Sequence, residues 1–94
     1  MYLAIVIGTV VATTKDPSLM GKKLLVVARL SEQLTLTGET EIAADSAGAG
    51  NGETVLVSQG SSARFTGPAH ESVIDASIVG IVDSVEIDTS RLGR

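Results

Sequence analysis

Apolar residues in this chain fall into short runs that are separated by polar and glycine-rich stretches. The first run, residues 2–13, is rich in β-branched side chains and contains no helix caps, which favours a strand. Neither alternating set of its side chains is polar: one set is Leu3, Ile5, Ile7 and Val11, and the other is Ala4, Val6 and Val10. A strand that is apolar on both faces needs cover on both sides. We therefore expect a neighbouring subunit to cover the outer face.

The remaining apolar runs predict further strands. These strands are expected at residues 23–30, 34–44, 54–58 and from 75 or 76 to about 87. Gly8 indicates a bulge or sharp bend in the first strand, and Gly38 indicates a turn or kink within the half-exposed hairpin region at 34–44. One turn of helix is expected at 18–21 and another at 60–65, and residues 89–94 read as a tail.

These elements together predict a mainly all-β fold. The order of the strands, with a short helical turn before the last one, fits a small five-stranded OB-like barrel. Closure into a barrel is favoured because it removes exposed strand edges. No internal repeat or linker is visible, so we expect a single domain over residues 1–94.

Composition supports self-association and argues against nucleic acid as a partner. A chain of 94 residues has little interior, yet 44% of its residues are hydrophobic, so part of this apolar surface should be covered by another copy. Tyr2 and Phe65 are the only aromatic residues and the formal charge is −4. Binders of single-stranded nucleic acid need aromatic platforms and a basic groove, and this chain has neither.

The amino-terminal apolar run does not predict a membrane or secretory segment. No basic stretch precedes residues 2–14 and no clear cleavage site follows them. The run is also shorter than the about 20 residues that a helix needs to span a bilayer. We expect a soluble, cytoplasmic protein without a membrane partner.

The glycine-rich loop at residues 45–53 is the feature most similar to a ligand-binding motif. It contains G-x-G-x-G, but a strand follows it where a dinucleotide-binding turn must open a helix. A phosphate-binding loop would need Lys and Ser or Thr after the last glycine, and Glu53 stands there instead. The glycines are better explained by a tight turn with positive φ, or by a loop that packs closely against its symmetry copies.

No other constellation indicates catalysis or a cofactor. The G-S-S-A stretch lacks the second glycine of a nucleophile elbow, and His70, the only histidine, lies in a polar stretch. With one histidine and no cysteine, ordinary zinc chemistry is excluded. Asp45, Asp75 and Asp83 could bind a hard metal ion, but turn and capping hydrogen bonds explain them better. We expect a protein that is not an enzyme, with no catalytic, cofactor or metal site.

Three successive motifs give the chain a family resemblance. D-x-x-G-A-G begins at Asp45, E-x-V-L-V at Glu53 and G-S-x-A-R at Gly60. Together with the opening strand at 3–11 and the closing one at 78–83, they resemble the EutN/CcmL family of pentameric vertex proteins of bacterial microcompartments and carboxysomes. The resemblance implies a β-barrel subunit that assembles in fives and fits the corners of a shell built from hexameric shell proteins.

The resemblance also implies where the subunits meet. The candidates for the region near the five-fold axis are Ala47, Gly48, Ala49, Gly50 and Asn51. The candidates for the subunit interface are Leu3, Ile5, Ile7, Gly8, Ser61, Ser62, Arg64, Val79 and Ile81. The alternative interpretation of the chain is an OB-type module that binds a small anionic ligand or single-stranded nucleic acid, and a small hydrolase or nucleotide-dependent enzyme is a weaker one.

Overall fold

The computed structural model of the chain describes residues 1–13, 15–60 and 74–92. The described residues form five β-strands and two 3-10 turns, at Pro17–Leu19 and Thr89–Leu92. The strands are β1 (Tyr2–Val10), β2 (Lys23–Leu30), β3 (Leu36–Asp45), β4 (Thr54–Gln59) and β5 (Ala76–Ile81). The predicted turn at 18–21 is therefore found slightly earlier, where Asp16 caps it by accepting a hydrogen bond from the Ser18 amide at 2.9 Å. The turn predicted at 60–65 extends outside the described residues.

In the described part of the chain the strands close into a barrel in the order β1-β2-β3-β5-β4. Four of the neighbouring pairs are antiparallel, and β3 and β5 are parallel. The predicted all-β fold and five-stranded OB-like barrel are therefore confirmed. Closure leaves no strand with an unpaired edge among these five, which removes a site of non-specific strand addition.

The barrel interior is filled by small and medium aliphatic side chains from every strand. Because successive side chains of a strand point to opposite faces, every second residue of an apolar strand enters the core. The buried cluster consists of Tyr2, Ala4, Val6, Leu25, Val27, Ala43, Ala49, Val55, Val57, Ala76 and Ile78. Ala49 is the one member of this cluster that comes from the glycine-rich loop, so that loop is anchored in the core.

Two bulges each direct an aliphatic residue to the surface. In β1 the pairing with β2 shifts between Val6 and Gly8, which leaves Ile7 without an opposite residue. In β5 the pairing with β4 shifts in the same way around Val79. Ile7 is 53% exposed and Val79 is 42% exposed. The bulge expected from Gly8 is confirmed, and a bulge re-aims the side chain that it frees from the ladder.

Strand β3 differs in detail from its prediction. It begins at Leu36 rather than at residue 34, and Gly38 lies inside the strand with a φ of 91°. The pairing with β2 is irregular beside this glycine, so Gly38 is a kink within β3 and not the turn. The pairing also places Ala43 opposite Leu25 in the core, which turns Ile42 outward.

The last strand is shorter than the sequence indicated. β5 ends at Ile81, and residues 82–88 are not a strand, so the expected continuation to about 87 is wrong. The physical reason is that β4, the antiparallel partner of β5, begins only at Thr54, and no other described strand continues the ladder. The Val82 amide makes one further hydrogen bond to the Thr54 carbonyl at 2.8 Å, and the ladder then stops. The expected tail contains the 3-10 turn at Thr89–Leu92.

Candidate assembly interface

The glycine-rich loop is organised around one buried carboxylate. The Asp45 side chain is 1% exposed, and it accepts hydrogen bonds from the Ala47 amide at 2.9 Å and the Ala49 amide at 2.8 Å. Lys23 Nζ donates to the Ala49 carbonyl at 2.6 Å and lies 3.6 Å from Asp45 Oδ2. The expected turn-bonding role of Asp45 is confirmed. Its contact with Lys23 could not be read from the motif, because Lys23 lies on β2 and the two residues meet only in the β2–β3 ladder.

The second half of the loop is joined to β1. The Gly52 amide donates to the Val6 carbonyl at 2.8 Å, and the Val6 amide donates to the Glu53 carbonyl at 3.0 Å. Glu53 Oε1 also accepts a hydrogen bond from the Gly50 amide at 2.7 Å. Gly48 and Gly52 have φ values of 79° and 85°, which side chains other than glycine rarely adopt. The tight-turn interpretation of these glycines therefore agrees with the observed backbone.

Only part of this loop is available to a neighbouring molecule. Of the five-fold-axis candidates, Ala49 is buried in the subunit's own core and Ala47 packs against that core. Gly50 is half-buried, and Gly48 and Asn51 are exposed. The position of this loop near a symmetry axis stays a prediction. Gly48 and Asn51 are the candidates whose exposure would let them contact other copies there.

The outer side of β1, β4 and β5, here called the β4 side, carries a band of aliphatic residues. Leu3 of β1 lies opposite both Leu30 of β2 and Leu56 of β4. The interface candidates on β1 and β5 are Leu3 and Ile5, which are half-buried, and Ile7, Val79 and Ile81, which are exposed. Gly8 is half-buried and pairs with Val26 of β2. Ser61, Ser62 and Arg64 lie outside the described residues. The described candidates therefore lie on β1 and β5, the two strands that flank β4 in the barrel.

A polar cluster lies at the end of the barrel where β1 begins. Tyr2 donates its hydroxyl hydrogen to Glu41 Oε1, and Gln59 Nε2 donates to the same oxygen at 3.2 Å. The Arg29 guanidinium lies over the Tyr2 ring, 4.6 Å from its centroid, and Arg29 Nη1 lies 3.5 Å from Glu39 Oε2. Burial and the hydrogen bond to Glu41 raise the pKa of the Tyr2 hydroxyl well above its usual range. Sequence reasoning missed this cluster, because its members come from four strands.

This cluster borders a cleft of about 270 Å³. Its contacts are those of a structural cluster and not of a catalytic site. The hydroxyl, amide and guanidinium groups named above all have partners within the cluster, and none of them is a nucleophile beside a free base. Among residues 1–13, 15–60 and 74–92, no group of three or more metal-ligating side chains comes together. In the same residues, no helix is long and apolar enough to cross a membrane. His70 lies outside the described residues.

The chain matches a known family over most of its length. Residues 1–83 match the family described as ethanolamine utilisation protein EutN/carboxysome. The shell vertex protein GrpN of Rhodospirillum rubrum is 62% identical over 92% of this chain and 97% of its own length. The shell vertex protein PduN of Salmonella typhimurium is 54% identical over 90% of this chain and 98% of its own length. The carboxysome vertex protein CcmL of Synechococcus elongatus is 47% identical, covering 94% of this chain and 89% of CcmL.

Solved structures of such proteins superpose closely on this barrel. The pentameric microcompartment shell protein GrpN from Rhodospirillum rubrum matches with a TM-score of 0.84, covering 93% of this chain and 99% of GrpN at 62% identity. CcmL of Gloeobacter violaceus matches with a TM-score of 0.86 at 40% identity, covering 94% of this chain and 91% of CcmL. These likenesses favour a shell vertex subunit over an OB-type binding module.

Proposed function

The chain belongs to the EutN/CcmL family, and we propose that it is a non-enzymatic structural protein that forms homopentamers at the vertices of a bacterial microcompartment shell. The proposal takes residues 1–94 as one vertex domain, located in the cytoplasm as part of the shell. Its partners are four further copies of itself and hexameric shell proteins, with no nucleic acid or membrane involved. The observation that carries the proposal is the high identity to a pentameric shell protein over nearly the whole length of both chains.

A vertex role follows from symmetry. A flat sheet of hexameric tiles has no curvature and cannot close by itself, so a closed polyhedron needs five-fold units at its corners. A cyclic ring forms when a head-to-tail contact repeats with a rotation that closes. The aliphatic residues that this subunit leaves at its surface, such as Ile7 and Val79, are the kind of surface that such a contact would cover.

The glycine-rich loop is proposed to lie near the five-fold axis. Its exposed residues, Gly48 and Asn51, are small, and its backbone is held by Asp45 and by β1, so five copies could approach one another without rearrangement. We propose that the aliphatic residues of β1 and β5 form one side of the subunit contact.

The oligomeric state tests the central proposal. Native mass spectrometry of the purified chain at low micromolar concentration should show one species of five subunits. Co-expression with a hexameric shell protein should then give closed shells, whereas the hexameric protein alone should give sheets or tubes. A stable monomer, or closed shells that form equally well without this chain, would contradict the vertex role.

The position of the loop has its own test. Asn51→Glu would place five additional carboxylates around the axis, so the pentamer should dissociate more readily at low salt and recover at high salt, where exposed charges are screened. Asn51→Gln is the matched neutral control and should behave as the parent chain. If the glutamate variant forms a pentamer of unchanged stability at low salt, the loop is distant from the axis.

A further inference from the structure

Asn51 is the only asparagine in the chain, and a glycine follows it. An asparagine–glycine pair is especially prone to spontaneous deamidation in peptides. A following residue without a side chain lets its amide nitrogen approach the asparagine side chain closely. Asn51 is exposed, so water and hydroxide ion can reach it. The glycine-rich loop therefore carries a candidate modification site.

Deamidation of this pair begins at the backbone nitrogen of Gly52. Hydroxide ion removes the amide proton, and the nitrogen attacks Cγ of the Asn51 side chain. The new N–C bond closes a succinimide ring, and the side-chain nitrogen takes up a proton from water and leaves as ammonia. Water then adds to either ring carbonyl and opens the ring, which gives aspartate in a normal or an isoaspartyl linkage. The reaction therefore consumes only water.

The fold holds the reacting nitrogen in a hydrogen bond. The Gly52 amide donates to the Val6 carbonyl of β1 at 2.8 Å, and the Val6 amide donates to the Glu53 carbonyl at 3.0 Å. The proton that hydroxide must remove is the one that Gly52 donates to Val6. The attack also requires rotation of the backbone between Asn51 and Gly52. The loop must therefore separate from β1 before the ring can form, and such local opening has its own free-energy cost.

Glu53 holds the same turn from the other side. Its amide donates to the Gly50 carbonyl at 3.1 Å, which closes a β-turn with Asn51 and Gly52 at its centre. The φ of 85° at Gly52 is the value that the third residue of a type II turn requires. Glu53 Oε1 also accepts from the Gly50 amide at 2.7 Å. Glu53 therefore fixes the turn through both its backbone and its side chain.

We infer that Asn51 is a deamidation site that the closed loop protects, so that it reacts quickly only in chains whose loop has separated from β1. The succinimide carries no hydrogen on the Gly52 nitrogen, so it cannot restore the bond to Val6. An isoaspartyl linkage adds a methylene group to the backbone of a four-residue turn, which displaces the groups that close it. A chain with that linkage is therefore permanently altered at the loop. The protection arises within one subunit and does not depend on the proposed pentamer.

Peptide mapping after incubation at mildly alkaline pH tests this inference. Trypsin cleaves after Arg29 and Arg64 and releases Asn51 in the peptide of residues 30–64. The mass increase and isoaspartyl content of this peptide measure the reaction, and its fragment ions locate the change at Asn51. The rate in the folded parent chain should be at least about tenfold lower than in the same chain unfolded in urea. Equal rates in the two states would overturn the inference.

Substitution of Glu53 separates protection by the loop from protection by the fold as a whole. Glu53→Ala keeps the Asn51–Gly52 pair but removes an acceptor from the turn. Its folded-state rate should rise by about fivefold, as expected for the loss of one hydrogen bond, while its rate in urea stays unchanged. Glu53→Gln keeps an acceptor oxygen and should remain close to the parent chain. Glu32→Ala, the same change at an exposed residue between β2 and β3, is the matched control and should have no effect.

Two outcomes of this comparison are decisive. A folded Glu53→Ala variant that deamidates no faster than the parent chain would overturn the inference, because the turn would then not control the reaction. Native mass spectrometry of the same samples tests the proposed function separately. A monomeric parent chain that is still protected would support the inference and refute the proposed pentamer.

Discussion

Replacing Asp45 with alanine should destabilise the subunit far more than a typical surface substitution. The Asp45 carboxylate is almost completely buried and accepts two backbone hydrogen bonds, from Ala47 at 2.9 Å and Ala49 at 2.8 Å. A hydrogen bond to a charged group contributes about 1.5–3 kcal/mol. Loss of both acceptors, partly offset by water reaching the loop, should lower the free energy of unfolding by about 3 kcal/mol.

Urea unfolding followed by circular dichroism measures this change. All variants must be compared at one protein concentration, since assembly stabilises the folded subunit by mass action. Lys23→Ala is the informative comparison, because Lys23 is 49% exposed and its ion pair with Asp45 spans 3.6 Å. An ion pair of this kind contributes about 0–1 kcal/mol, and water can replace the half-exposed Lys23 ammonium as the donor to the Ala49 carbonyl. Lys23→Ala should therefore cost less than Asp45→Ala.

The isosteric variant Asp45→Asn sharpens the same test. Its side-chain carbonyl can accept from one loop amide, while its NH₂ group would face the other amide without an acceptor. Its free energy of unfolding should therefore lie between those of the parent chain and Asp45→Ala. The reasoning is refuted if Asp45→Ala costs less than about 1 kcal/mol, or if Lys23→Ala costs as much, since the carboxylate would then not organise the loop.

Two further predictions concern Tyr2 and Gly52. Tyr2 is the only tyrosine in the chain, and its pKa is raised mainly by burial, so its absorbance should titrate well above the ordinary value of about 10. The unfolded chain ionises first as pH rises, so the stability due to the neutral phenol is complete below about pH 10 and is lost above it. Tyr2→Phe should reduce this alkaline loss, and an ordinary titration of Tyr2 would contradict the prediction. Gly52→Ala should lower stability by about 1–2 kcal/mol because φ is 85°. Gly8→Ala is the control, since its new methyl group would meet Val26 at an ordinary 3.8 Å, and equal losses would argue against backbone strain.

Local pattern was sufficient for several elements of the fold. Residues 23–30 were predicted as a strand and β2 is Lys23–Leu30, and the strand predicted at 54–58 is β4 with one further residue. Both runs are rich in branched aliphatic residues, which favour a strand, and both are flanked by glycine or polar residues, which favour turns. The two signals therefore agree on where each strand lies. The bulge at Gly8 was predictable for a similar reason, because a glycine inside a strand often marks a bulge or a tight bend.

The errors came from interactions between distant parts of the chain. Residues 82–87 were expected to continue the last strand, yet within the described part of the chain they pair with no other strand, and the sequence does not reveal where a partner ends. The contacts of Lys23 with Asp45 and of Tyr2 with Glu41 likewise join residues that are far apart in the chain. The glycine motif indicated the loop, but only the tertiary structure shows that Ala49 of this loop is buried in the barrel core.

The sequence alone determined that this protein is a small all-β barrel with more aliphatic surface than one subunit can bury, and its motifs indicated the family. These properties are local, since side-chain alternation, turn glycines and composition depend on near neighbours. The tertiary structure decided the register, the parallel contact between β3 and β5, and the outward placement of Ile42. Strand register and burial depend on pairing between distant segments, and so the exposure of Ile42 could be found only in the folded chain.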